Sequence, residues 1–203
     1  MRGDTREKII ASAMKHLYQL GYNRFSFAPV AEDCDIAKAG IHYYFPTKDD
    51  LALAAIDKYT AEEKVVLDAI VGDDKLSAPD KFNAIFNHFR ERMIKMNYIG
   101  CLAGNLGLEV SETNQAIRNR INNFIDYKLH IFAELIESGK KNGQFNTDAN
   151  APALAQAIFF SLEGGVMTSK ISKSPVLLAS AFNVCSNLVS NMCVTPKTRR
   201  GRK

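Results

Sequence analysis

Turn-forming residues are scarce: 203 residues contain six prolines and twelve glycines. That is too few for a sandwich or barrel built from many tight turns. No apolar run approaches the roughly 18 residues that a membrane span needs, so no membrane partner is expected. The opening residues MRGDTREK carry charge where a secretory signal carries an apolar core, and a cytoplasmic location is the expectation. The four cysteines, Cys34, Cys101, Cys185 and Cys193, form no C-x-x-C pair. This excludes a zinc ribbon or a disulfide scaffold and fits reduced thiols, so neither metal nor cofactor is expected. There is also no P-loop, no G-x-S-x-G and no H-E-x-x-H, and the four histidines are scattered. The chain does not read as an enzyme.

The residues present describe a helical protein able to bury a sizeable core, at 46% apolar and 24% charged. Net charge is +4, yet five cations crowd the last seven residues, KTRRGRK, and without them the chain would stand at −1. The tail, taken as 196–203, reads as a solvated terminus or as a phosphate contact.

Helical periodicity runs through the rest. A first helix, about 5–20, opens at Asp4 with Glu7 three residues on, as in a capping box, and stops at Gly21. Ser26 is placed to cap a short second helix, with Pro29 in its first turn. Asp35 accepts turn geometry, and a third helix runs from about Ala37 to Phe45, before Pro46. Two short helices joined by a tight turn and braced by a longer one make a helix-turn-helix, about 26–45. Further helices follow from Lys48 to near Gly72, along Phe82–Met96, briefly through Glu109, and at about 114–141, 151–171 and 175–193. The fold class is all-α, with about nine helices. A head at 1–50 precedes a larger domain at 51–195.

The helix Ala37-Lys38-Ala39-Gly40-Ile41-His42-Tyr43-Tyr44-Phe45 carries donors on a short element, and small residues permit close backbone approach. That combination suits a major groove. Residues 5–51, through GYNRFSFAPVAEDCDIAKAGIHYYFPTKDDL, resemble the DNA-binding domain of TetR-family transcriptional repressors. The resemblance implies that Ser26 and Lys48 hold phosphates and that Lys38 contacts a phosphate or base. It further implies that Gly40 admits the backbone to a base or sugar, and that His42, Tyr43 and Tyr44 span base methyls and phosphates. The sequence departs from the family where Asp35 stands for a frequent glycine, Ala37 for serine or threonine, and His42 for a common tyrosine. The first 60 residues hold eight cations and eight anions, so Glu32, Asp33 and Asp35 must face away from DNA.

One helix-turn-helix covers a short half-site, so two heads on an inverted repeat are expected. The last two helices are read as the homodimer interface, through Ala157, Ser161, Gly164, Phe182, Leu188 and Val189. The aromatic and methionine stripe is ordinary core or, as the resemblance implies, the lining of an effector cavity that includes Phe86, Phe89, Met93, Phe124, Phe159 and Met167. The segments around Cys101 and Lys170 resemble a family branch that includes N-ethylmaleimide-responsive repressors. There the cysteine, helped by the lysine, senses electrophiles or oxidants. A packing role for Cys101 is the competing reading, and Cys34, Cys185 and Cys193 read as packing residues. The expected function is a repressor released from its operator by a small apolar or thiol-reactive effector. The alternative is an effector-independent DNA-binding or nucleoid protein.

Overall fold

The computed structural model describes residues 2–97, 99–110 and 112–194, and the basic tail lies outside the described residues. Among the described residues there are nine helices, and the only β contact is an isolated bridge between Phe145 and Cys193. In chain order they are α1 (Arg2–Arg24), α2 (Phe27–Asp33), α3 (Lys38–Tyr44), α4 (Lys48–Val71), α5 (Ala78–Lys95), α6 (Leu102–Val110), α7 (Gln115–Lys141), α8 (Ala151–Ser172) and α9 (Pro175–Met192). The all-α reading holds. No helix among the described residues is long and apolar enough to cross a membrane.

Local chemistry sets most boundaries. Gly21 adopts φ 72°, ψ 176°, so the expected stop in α1 becomes a kink, after which a short turn continues to Arg24. Asp35 takes the left-handed conformation, φ 52°, in the turn between α2 and α3. Thr47, one residue before the charged run, caps α4. Its hydroxyl accepts from the Asp50 amide at 3.1 Å, and the Asp50 carboxylate accepts from the Thr47 amide at 2.9 Å. Asn114 and Asn150 cap α7 and α8 in the simpler way, each accepting one amide at 3.0 Å.

Two apolar cores result. The first joins α1, α2, α3, the N-terminal half of α4, α6 and the start of α7. The second joins Leu67 of α4 to α5, the C-terminal half of α7, α8 and α9. The cores therefore do not divide near residue 50, where the sequence places the edge of the head. The 24 residues of α4 and 27 of α7 reach roughly 36–40 Å at 1.5 Å per residue, which carries each helix through both cores.

Helices α8 and α9 cross closely at Gly165, where an added Cβ would lie 2.1 Å from the Ala181 Cβ; at neighbouring Gly164 it would meet nothing. We expect Gly165→Ala to cost about 1–3 kcal/mol through overpacking. Gly164→Ala should be neutral or stabilising by up to ~1 kcal/mol, since alanine is the better helix former. Urea denaturation of the two variants checks this, and equal effects would contradict the crossing geometry.

Candidate nucleic-acid interface and apolar cavity

Helix α2 is pinned by buried Phe27, Val30 and Ala31, and α3 by buried Ile41, with Phe45 closing behind it. Anchoring those apolar side chains turns the remainder of α3 outward. Lys38, Ala39 and His42 are exposed, and Tyr43 keeps 69% of its surface. Tyr44 lies half-buried against the first core, edge-on to Tyr43 with ring centroids 5.1 Å apart. The His42 ring packs edge-on against Phe27 at 4.7 Å, and its Nδ1 lies 3.3 Å from the Pro46 carbonyl oxygen. With Nδ1–H donating there, a neutral His42 leaves Nε2 as an acceptor. At Gly40 a Cβ would meet only the Ile36 side chain, at an ordinary 3.6 Å. Nothing inside the chain demands glycine there.

Ser26 stands at the N-cap of α2, exposed, and its hydroxyl makes no capping bond. Lys48, opening α4, places Nζ 4.3 Å from the Tyr22 ring centroid and donates to the Asn23 carbonyl at 3.4 Å. Asp33 is occupied by α1: it accepts from the Ser12 hydroxyl at 2.8 Å and from Lys15 at 3.2 Å, and lies 3.1 Å from His16 Nε2. These bonds hold its carboxyl below the usual range. Its charge is thus compensated by partners on α1.

A cavity of about 400 Å³ opens between α6, α7 and α8. Ile121, Phe124, Phe159 and Val166 form apolar walls, and the half-exposed Met167 stands on the rim with Leu108 and Phe160. A smaller recess of about 40 Å³ shares Cys101, Lys128, Phe159 and Glu163 with it and reaches Tyr59, Phe89, Met93 and Arg92. Of the expected lining residues, Phe86 is misplaced. It is buried beside Phe82 in the second core and touches neither space. Phe82 and Phe86 pack into the second core, whereas Phe89 and Met93, further along α5, reach the recess.

Four charged residues of this region, Lys128, Glu163, Glu63 and Arg92, escaped the sequence reading. Lys128 of α7 is only 5% exposed. Its ammonium lies 4.5, 5.1 and 5.7 Å from the ring centroids of Phe124, Phe89 and Phe159, and donates to the Glu163 carboxylate at 3.4 Å. Burial alone would lower its pKa, but Glu163, Cys101 and Glu63 outweigh that and raise it, so Lys128 stays charged at neutral pH. Glu63 of α4, 1% exposed, accepts from Arg92 of α5 and lies 3.2 Å from His88 Nε2. Arg92 also donates to the Tyr18 hydroxyl at 2.9 Å and lies over the Tyr59 ring. Their spacing was the available signal: Tyr59, Glu63, Leu67 and Phe124, Lys128, Phe132 each recur at four residues along an inward face.

Cys101 immediately precedes α6. Its carbonyl accepts from the Asn105 amide at 2.9 Å, its Sγ accepts from the Gly104 amide at 3.5 Å, and Tyr59 Oη lies 3.6 Å from the sulfur. Burial and Glu163 push the thiol pKa up, against the pull of Lys128, so sulfur is protonated at neutral pH. Lys170 is exposed near the end of α8 with its stem against Gly100, and the ammonium acting on the thiol is that of Lys128. At the other end of α6, the Glu109 carboxylate accepts from the backbone amides of Tyr22 and Asn23, the latter at 3.3 Å, beside the Gly21 kink. Nine residues of helix thus join the cavity wall to the end of α1.

The outer surface of α8 and α9 is apolar: Phe160, Met167, Ile171, Val176, Leu177 and Val184 are all exposed. Ala157 is exposed and Ser161, Gly164 and Leu188 are half-buried, but Phe182 and Val189 are buried in the chain's own second core. Those two cannot face a partner. Helix α9 is apolar on two stripes, and the one holding Phe182, Cys185 and Val189 turns inward.

Residues 9–55 match the family described as bacterial regulatory proteins, tetR family, and residues 78–185 match the tetracyclin repressor-like C-terminal domain. The transcriptional regulator AcuR of Cereibacter sphaeroides is 24% identical over 170 residues, covering 83% of this chain and 78% of that protein. A TetR regulatory protein from Rhodobacter sphaeroides superposes with TM-score 0.82 at 23% identity, over 90% of this chain and 97% of the other. Reduced NemR from Escherichia coli superposes with TM-score 0.79 at 20% identity, over 96% and 100%. At such identities the structural likeness speaks for the fold.

Proposed function

The chain belongs to the TetR family of transcriptional regulators, and on that footing we propose that it is a homodimeric repressor that holds a palindromic operator through α3 and lets go when a small effector occupies the cavity beside Cys101. The observation that carries the reading is α3 itself: anchored by Ile41 and Phe45, it presents Lys38, His42 and Tyr43 outward beside a bare Gly40. In this reading Ser26, Tyr44 and Lys48 hold the flanking phosphates, while His42 and Tyr43 meet base edges and methyls. The cavity favours effector control over an effector-independent DNA-binding protein. Its wall, α6, ends on the amides of Tyr22 and Asn23, so a compound that displaces α6 shifts the brace of the head. Only an effector that binds one arrangement better than the other can bias that balance.

Selection of bound fragments from genomic DNA tests this reading. Recovery of two inverted half-sites is the expected result, and indifference to every duplex would end the proposal. For the recovered site, Lys48→Ala should weaken binding without altering base preference and should flatten the salt dependence by about one unit of slope. Titration over a salt series measures this, and an unchanged affinity and slope would remove Lys48 from the phosphate set.

Cys101 opens on the same cavity, so a thiol-reactive compound would act at the place where an apolar one binds. The place of Cys101 at the start of α6 supports this second arm: its sulfur accepts from the Gly104 amide there, so the bulk of an adduct on sulfur would press on the first turn of the cavity wall. With N-ethylmaleimide as the probe, mass spectrometry should find Cys101 modified and buried Cys185 untouched, together with operator release that Cys101→Ser abolishes. An unmodified Cys101 would eliminate the thiol arm and leave release by apolar compounds standing.

A further inference from the structure

We infer that the effector cavity takes an organic anion, a carboxylate on a short apolar tail, with Lys128 as the residue that selects its head group. The inference rests on the cavity being the effector site and adds the chemistry that the site recognises.

Lys128 is an ammonium with three donors in a setting that supplies one long contact. It is 95% buried, projects among three aromatic rings, and its single hydrogen bond, to Glu163, spans 3.4 Å. Aromatic faces offset part of the cost of burying a cation, but they do not replace hydrogen-bond acceptors. The residue lines both the cavity and its inner recess. The other groups around it are apolar or already engaged: Ile121, Phe124, Ile125, Phe159 and Val166 are apolar, Glu63 accepts from Arg92 and lies against His88, Asn105 donates to the Ile99 carbonyl, and the Cys101 sulfur accepts from Gly104. A carboxylate entering the cavity would accept the spare donors at charge-assisted strength, and its tail would displace water from the apolar walls. Glu163, 29% exposed at the mouth, would then be a competing counterion that the ligand supplants. A neutral alcohol would leave the ammonium short of acceptors, and an amine would meet like charge.

Calorimetric titration of the free full-length protein with hexanoate, hexanol and hexylamine tests the assignment. The wild type should bind hexanoate about ten- to a hundredfold more tightly than hexanol, the range of a charge-assisted hydrogen bond, and should reject hexylamine. Lys128→Met, which keeps the stem volume, should lose that preference. Glu163→Gln, which removes the competing anion, should strengthen hexanoate binding several-fold. If Lys128→Met does not fold, the head-group series on the wild type and the Glu163→Gln result decide alone. Absence of hexanoate binding, equal affinity for hexanol, a preference that survives in Lys128→Met, or weaker hexanoate binding by Glu163→Gln would each overturn the assignment. No DNA is present, so a protein that prefers the carboxylate yet ignores every duplex would end the operator reading and leave this one intact.

Discussion

A chain carrying Phe160→Glu and Ile171→Lys is expected to sediment as a monomer and to bind its operator roughly 10²–10⁴-fold more weakly than the parent, the range lost when two linked heads become one. Both side chains are exposed, Phe160 by 60% and Ile171 by 73%, on an apolar face that also carries Met167, Val176, Leu177 and Val184. Patches of that kind mark association surfaces on otherwise well-packed proteins. Neither side chain belongs to the second core, so helicity and denaturation midpoint measured on the isolated chain should barely move. That contrast separates loss of association from loss of folding. Analytical ultracentrifugation and an operator titration together give the answer, and a dimer that persists in the double variant would place the interface elsewhere. Substituting Phe182 or Val189 would not make this test, because both fill the chain's own core.

The second large effect concerns stability. Arg92→Met should lower the unfolding free energy by about 3–5 kcal/mol, as expected when one partner of a buried ion pair is removed and the other is left uncompensated. The stranded group is Glu63, 1% exposed. Arg92 also gives up its bond to the Tyr18 hydroxyl and its place over the Tyr59 ring. Adding Glu63→Gln to Arg92→Met should restore much of the loss, since the buried charge is then gone. For Glu63 burial works to raise the pKa, but His88, Arg92 and Lys128 prevail and hold it below the usual carboxylate range. A depressed folded-state value contributes stability above the unfolded pKa and loses it as pH falls through the folded one. The gap between parent and Arg92→Met should therefore be constant near neutrality and should narrow in acid. Urea titrations across that range measure it, and a gap that widened on acidification would contradict the charge assignment.

The two experiments probe parts of the molecule that differ in how far they can be read from sequence. Periodicity and punctuation were enough for the helices: the 3.6-residue recurrence of Ile9, Ala13 and Leu17, the break at Gly21, the left-handed Asp35 and the stop at Pro46 are all local. The outward set on α3 was equally legible, because burying Ile41 on a seven-residue helix, and Phe45 just after it, leaves Lys38, His42 and Tyr43 only one side to occupy. The start of α4 at Lys48 was legible from the charged run, and the capping role of Thr47 just before it was not.

Contacts between distant segments were not legible. Glu63 meets Arg92 across 29 positions, Lys128 meets Glu163 across 35, and Glu109 reaches Tyr22 across 87. Period reveals that an ionisable residue lies on an apolar face but carries no information about its partner. For the same reason the resemblance named Lys170 beside Cys101, while Lys128, whose ammonium also acts on the thiol, escaped notice. Phe86, Phe182 and Val189 show the same limit for apolar residues.

The sequence by itself determined the helical class, the order of the elements and the outward face of α3, because these follow from backbone propensity and from apolar side chains recurring within a turn or two. Only the tertiary structure decided which apolar stripe serves the chain's own core, which remains open for a partner, and which buried charges stand together at the cavity. Those outcomes depend on how long helices cross, and a crossing is set by the fit of side chains far apart in the chain.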